Sequence, residues 1–417
     1  MKVDNAAQLS EHTLRYLESA PLAHRRKLGQ YFTPRAIREF LLRRLPKLGS
    51  GTRIIDPASG TGEFLLSARD LFPKSKLFGV ELDPKLASVS RRALPYADIR
   101  RADALLIDER EKYDAVIGNP PYFEFKPDAA LMERYGDVLC GRPNIFAMFV
   151  KQGLDLLKSG GYLGFVIPPS MNNGAYFAML REYIIGQADI RHLSILDSEK
   201  LFADAQQTVM ILILQKRANT GRHIFRRNGL TIFSRNPAFL EKAFRGTFSL
   251  RELGYRVKTG PVVWNQHKNR LTDSGDAAVP LIWAHNIQAQ GFAFPQLKEG
   301  KPQYVRIGKH DVGPAIVVNR ITGAADNVRL KCALIPEGMK FVGENHVNVV
   351  YPAKGLKPPD IRIEEIARQI RSDESMAIMR EITGNTQISK TELELLLPIR
   401  PPKGSSFRES SASIGVI

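Results

Sequence analysis

The run Arg53-Ile54-Ile55-Asp56-Pro57-Ala58-Ser59-Gly60-Thr61-Gly62-Glu63-Phe64-Leu65 decides how this chain is read. Arg53 to Asp56 reads as a strand, and Glu63 to Leu71 as the helix that follows. The glycines between them let the backbone pass close beneath a ligand. The N–H groups that open the helix suit a carboxylate or phosphate. A tight turn alone explains two glycines equally well, so the surroundings must decide.

Working outward, the same alternation runs to Gln215. Lys76 to Leu82, Asp98 to Asp103, Tyr113 to Gly118 and Tyr162 to Ile167 read as further strands. Pro84 to Leu94 and Ile145 to Leu157 read as helices, the second ending at Ser159-Gly160-Gly161. Ile190 to Leu196 and Thr208 to Leu214 form a closing apolar pair. Strand–helix alternation of this kind predicts an α/β architecture, a doubly wound and mostly parallel sheet with helices on both faces. Ligands in such sheets bind beyond the carboxyl ends of the strands.

Composition sets the outer limits. The 417 residues are 43% apolar and 25% charged, the profile of a soluble globular chain. No apolar run reaches the ~18 residues of a membrane span, and Met1 to Ser10 lacks a secretory pattern. Two cysteines, Cys140 and Cys332, exclude a disulfide scaffold and a multi-cysteine zinc site, and suit the cytoplasm. The net charge is +17, and residues 201–417 hold most of the surplus. That bias favours polyanionic partners, nucleic acid first among them.

Three further elements stand at strand ends. Glu81 closes the second strand, about twenty residues after the glycines, where an acid can hold both hydroxyls of a ribose. A surface cap is the competing role, but Asp83, preceding Pro84, suits that better. Asp103 ends the third strand and offers an acceptor to an exocyclic amine. Asn119-Pro120-Pro121-Tyr122 follows the fourth strand. Its two prolines enforce a rigid, extended backbone that cannot join the sheet. The Asn119 side-chain oxygen and the Pro120 carbonyl can then both accept from one planar amine, with the Tyr122 ring beside them.

Taken together these motifs resemble the N6-adenine DNA methyltransferases of the gamma group, the TaqI-type enzymes of restriction–modification systems. The resemblance covers most of residues 25–216. Gly29-Gln30-Tyr31-Phe32-Thr33-Pro34 is similar to the family's tenth motif and precedes the Asp56–Gly62 motif, as in that group. Arg142-Pro143-Asn144-Ile145-Phe146 is similar to the fifth.

The resemblance implies a Rossmann-like class I S-adenosylmethionine-dependent fold, with S-adenosyl-L-methionine as cofactor. Thr33, Asp56 and the backbone from Ala58 to Gly60 would hold its methionine part. Glu81 would take the ribose, Leu82 flank the adenine, Asp103 bind the adenine amine and Pro121 close the pocket. Asn119, Pro120 and Tyr122 would be catalytic. The target adenine must leave the duplex to be reached. Tyr122 would stack on it, with Phe202 as the edge or opposite wall; a core phenylalanine under a hairpin is the competing role. The charged stretch from Phe123 to Gly141 reads as a long loop, either a cover for the flipped base or a solvated insertion.

The expected domains are 1–225, catalytic; 226–400, an α+β target-recognition domain; and 401–417, a disordered tail. Helices are expected near Asp360 to Arg371 and Glu374 to Ile382. Trp264, His267, Lys268, Arg320 and Asn385 are candidate DNA contacts, because Asn, Arg and Lys read base edges and phosphates. Turn-forming or buried structural roles compete for each. His267, His285 and His346 lack metal-ligand spacing, so no metal is expected. The implied partner is double-stranded DNA, with a cognate restriction endonuclease a further expectation, and a monomer suffices. The same Asn-Pro-Pro-Tyr turn also serves RNA and protein-glutamine methyltransferases, and a non-catalytic specificity module is a third reading. N4-cytosine methylation fits less well, since those enzymes usually place Ser where Asn119 stands.

Overall fold

The computed structural model describes residues 8–21, 29–196, 208–273, 276–288, 291–294, 302–320, 330–353, 361–382 and 387–402. The chain divides into two compact units. One holds residues 1–224 and 231–235, the other 225–230 and 236–417. Phe202, Asn385 and most of the tail lie outside the described residues.

The first unit is built on strands β1 (Arg53–Asp56), β2 (Lys76–Glu81), β3 (Asp98–Arg101), β4 (Tyr113–Gly118), β5 (Leu157–Ile167), β6 (Asp189–Leu196) and β7 (Val209–Gln215). Their order is β3-β2-β1-β4-β5-β7-β6. Strands β1 to β5 pair in parallel, and β7 runs antiparallel to both its neighbours. The order reverses between β1 and β4, which opens a crevice at their carboxyl ends. Side-chain alternation sends Ile54, Ala115 and Ile117 to one face and Ile55 and Val116 to the other. Helices α1 (Glu11–Ser19) and α2 (Arg35–Leu42) precede the sheet. Helices α3 (Glu63–Leu71), α4 (Pro84–Ala93), α5 (Ala129–Tyr135), α6 (Ile145–Leu156) and α7 (Ala178–Gln187) follow in turn. Asp83 caps α4, accepting from the N–H groups of Lys85 and Leu86, with Pro84 in the first turn.

Two expectations are corrected here. The stretch after Phe123 is not a long loop but contains α5. Asp128 caps it, accepting from the Leu131 N–H at 2.9 Å, and Leu131, Tyr135, Val138 and Leu139 enter the core. The charged residues between them hid a three-to-four-residue apolar spacing. The fifth strand also starts five residues early, at Leu157. Gly160, exposed, and Gly161, buried, therefore lie within the strand instead of closing the preceding helix.

The second unit is mixed α+β. An antiparallel sheet orders Tyr255–Thr259, Val347–Pro352, Ala315–Asn319 and Cys332–Ile335. Helices Ile363–Ile370, Asp373–Ile382 and Lys390–Leu396 accompany it, and Ile366, Ile370, Met379 and Leu393 share its core with Val257, Ile316 and Val350. The third helix was not expected, although Ser389 and Glu392 form the capping box that announces it. A second sheet of short strands carries Val279–Ile282 and Lys340–Gly343 as a parallel pair. Among the described residues no helix is long and apolar enough to cross a membrane.

Candidate active site

The crevice at the β1/β4 switch collects the residues singled out above. At the end of β1, Asp56 is buried and its Oδ1 accepts from the Ala58 N–H at 3.0 Å. Burial pushes its carboxyl up to about 8, with the Ala58 N–H opposing and the Glu81 charge adding to the rise. Gly118, ending β4, passes so near that a Cβ there would lie 2.6 Å from Asp56 Oδ1. Only glycine permits that approach. Gly60 and Gly62 take positive φ of 55° and 91°, turning the chain from β1 into α3.

Strand β2 ends on Glu81, whose oxygens each accept one backbone N–H, from Gly60 and Asp83, both at 2.8 Å. These bonds hold the carboxylate against the glycine loop and leave a lone pair on each oxygen. Burial raises the Glu81 pKa despite them. Leu82, the next residue, is a 65% exposed apolar side chain. Asp103 caps the turn Ala104–Leu106 through the Leu105 N–H at 2.9 Å. The third strand stops at Arg101, earlier than expected, so Asp103 stands two residues beyond it; the Glu81 and Asp103 carboxylates thus follow adjacent parallel strands, with an exposed leucine after the first. Two acceptors and an apolar side chain fit a ligand carrying a vicinal diol, a flat apolar ring and an amine, as S-adenosyl-L-methionine does.

Asn119 is held from behind. Its Nδ2 donates to Thr33 Oγ1 at 2.9 Å and to the Tyr31 carbonyl at 3.3 Å. Its Oδ1 faces the other way, against the Tyr122 hydroxyl, which also donates to the Val166 carbonyl at 2.7 Å. The Tyr122 ring stands edge-on to Phe146, with centroids 6.4 Å apart, and Phe146 in turn packs on Phe177 at 4.9 Å. Burial raises the phenol well above its ordinary pKa, so it remains a donor. Tyr122 is therefore not simply an open stacking face, because its hydroxyl engages Asn119.

Sequence reasoning missed the support of this site. Glu63, buried at the start of α3, accepts from the Ser10 N–H, the Thr13 hydroxyl and the Arg38 guanidinium. Arg38, also buried, donates to the Thr33 carbonyl at 2.8 Å and to Ser67 Oγ at 3.0 Å. Its pKa is lowered by desolvation, with Glu63 opposing the shift. The network ties α1, α2 and the Tyr31–Thr33 segment to the glycine loop. A buried arginine at the 3.6-residue spacing of an apolar helix face was the available signal.

In the second unit Trp264 is 43% exposed, with the Lys268 ammonium 5.3 Å from its ring centre. Asn265, Gln266, Asn269 and Arg270 are exposed beside them, and His267 bonds the Val263 carbonyl through Nδ1. Arg320 instead donates to the Asn345 carbonyl at 3.0 Å. Asn286 and Asn348 are buried in backbone bonds. Among the described residues no cluster of three metal-ligating side chains occurs.

Residues 96–202, which include Asp103 and Asn119–Tyr122, match the family model described as Eco57I restriction-modification methylase. The type II methyltransferase M.BsuBI of Bacillus subtilis is 24% identical, over 90% of this chain and 88% of its own. The modification methylase CviBIII of Paramecium bursaria Chlorella virus NC1A is 29% identical, over 68% of this chain and 72% of its own. A class I S-adenosylmethionine-dependent methyltransferase structure from Listeria monocytogenes aligns with a TM-score of 0.43 and 25% identity, covering 50% of this chain and 65% of that one. The sheet order and the strand-end carboxylates define a class I S-adenosylmethionine-dependent methyltransferase, and S-adenosyl-L-methionine is its cofactor. More narrowly, the chain is similar to type II and modification methylases and, over residues 96–202, to a restriction-modification methylase model.

Proposed function

We propose that this protein transfers a methyl group from S-adenosyl-L-methionine to N6 of a flipped-out adenine at a specific site in double-stranded DNA. The observation that carries the reading is the Asn119 amide, tied back through its nitrogen so that its oxygen is the group presented. The N6 lone pair of adenine is delocalised into the ring and is a poor nucleophile. Acceptors on both N6 protons, Asn119 Oδ1 and the Pro120 carbonyl, favour a tetrahedral nitrogen and localise that pair. They also meet the positive charge that develops on nitrogen.

The cofactor supplies an electrophilic methyl group on a sulfonium. Glu81, Leu82, Asp103 and Pro121 would hold its nucleoside, and Asp56, Ala58 and Gly60 its methionine part, while the Thr33 hydroxyl is taken up by Asn119. Transfer would exchange the sulfur–carbon bond for an N6–carbon bond, leave S-adenosyl-L-homocysteine as the other product, and let one N6 proton pass to solvent by way of its acceptors, Asn119 Oδ1 and the Pro120 carbonyl. Holding the reacting atoms at ~3–3.5 Å is the main contribution of such a site. Extrusion of the base costs a few kcal/mol, roughly, and stacking on Tyr122 returns ~1–3 kcal/mol.

We assign residues 1–225 the catalytic role and 226–400 target recognition. The exposed stretch Trp264 to Arg270 is the favoured DNA contact, since its side chains are accessible while Arg320 is committed to Asn345. The matching family model is described as a restriction-modification methylase, which supports a cognate endonuclease as the companion.

The test is methyl transfer in vitro. Purified protein is incubated with methyl-labelled cofactor and unmodified DNA, and the labelled nucleoside is identified after digestion. N6-methyldeoxyadenosine is expected. Label in RNA or in protein glutamine, with none in DNA, would replace this reading with its rivals.

A further inference from the structure

Asn119 works only in one of two orientations that differ by a half-turn of its amide. With Oδ1 outward it accepts from an incoming amine. With Nδ2 outward it sets a donor against a donor. The surroundings decide between them. The Tyr31 carbonyl can only accept, and it lies 3.3 Å from Nδ2. Thr33 Oγ1 lies nearer, at 2.9 Å, and can either donate or accept. On the opposite side the Tyr122 hydroxyl has the same freedom. The carbonyl therefore sets the sign, and the Thr33 hydroxyl, following it as an acceptor, gives Nδ2 its second and shorter bond.

Thr33 is itself fixed. Its side chain is buried, and its carbonyl accepts from Arg38, which is bound to Glu63 and Ser67. We infer that Thr33 is a positioning residue: through the Asn119 nitrogen it keeps the Asn119 oxygen turned toward the target amine. This role is distinct from contact with the cofactor. Its kinetic consequence rests on the adenine-N6 reading, whereas the amide geometry does not.

Thr33→Val keeps the shape and removes the acceptor, while Thr33→Ser keeps the acceptor. The full-length variants are compared by single-turnover methylation, by calorimetric cofactor binding and by thermal melting. Thr33→Val is expected to slow turnover about tenfold, the factor that one net hydrogen bond carries. Cofactor affinity should stay nearly unchanged, and Thr33→Ser should restore the rate. A loss of cofactor affinity in step with the rate, or a Thr33→Val enzyme as fast as the parent, overturns the inference. A parent that makes no N6-methyladenine instead defeats the functional reading alone. In that event the side-chain amide signal of Asn119 decides, assigned in asparagine-labelled protein by its loss in Asn119→Asp. It should shift in Thr33→Val and not in Thr33→Ser, and an unmoved signal in Thr33→Val overturns the inference.

Discussion

The Tyr122 hydroxyl rests on Oδ1 of Asn119 while also reaching the Val166 carbonyl at 2.7 Å. One proton faces two acceptors, so neither is fully served. The phenol occupies the atom proposed to receive the target amine. On the proposed reading, base entry would exchange one donor on Asn119 for another, and the Tyr122 ring would shift to offer its face.

Removing that hydroxyl should cost little. Tyr122→Phe keeps the ring and frees Oδ1, and its kcat/KM on DNA should stay within about threefold of the parent, less than one net hydrogen bond. Tyr122→Ala should lose the ~1–3 kcal/mol of base stacking, roughly five- to 150-fold in kcat/KM. Steady-state kinetics on one duplex compares all three. A Tyr122→Phe enzyme as impaired as Tyr122→Ala would mean that the hydroxyl, not the ring, carries the function.

The buried acids make stability depend on pH. Asp56 titrates at about 8 in the folded protein, because burial disfavours its charge, against ~3.9 when unfolded. The folded state thus binds more protons between those values, and stability falls as pH rises from about 4 through 8. Glu81 shifts in the same direction and adds to the slope. Asp56→Asn keeps an acceptor for the Ala58 N–H but cannot ionise. Melting temperatures across that window should fall less steeply in the variant than in the parent. Equal slopes would show that Asp56 is ionised in the fold.

The second unit offers a salt test. Lys268 is exposed beside Trp264, whereas Arg320 is spent on the Asn345 carbonyl. Lys268→Ala should weaken DNA binding and reduce the salt slope by about 1, as the loss of one phosphate contact does. Arg320→Ala should instead lower the melting temperature and leave that slope unchanged. Binding measured over a salt series, with melting curves alongside, separates the two. The reverse pattern would move the DNA contact from Trp264–Arg270 to the neighbourhood of Arg320.

Much of the first unit was legible because glycine and proline punctuate it. Gly60 and Gly62 mark the turn out of β1, Pro84 opens α4, and Pro120-Pro121 ends β4. The strand-end acids followed from their spacing. What lay hidden depends on tertiary partners. Helix α5 took a charged surface and one buried stripe, which read as a loop. Glu63 and Arg38 meet across 25 residues, and Asn119 meets Thr33 across 86. No local pattern announces such pairs. In the second unit several strands are only two residues long, too short for alternation to show.

The central claim is chemical: the Asn119 turn directs methyl transfer to adenine N6 in DNA. Single-molecule sequencing of DNA from a methylation-deficient host expressing the chain tests it most directly, beside an Asn119→Ala control. The account predicts N6-methyladenine at one short motif with the parent and none with the control. Unmodified adenine in DNA from cells that contain the folded parent protein would contradict it.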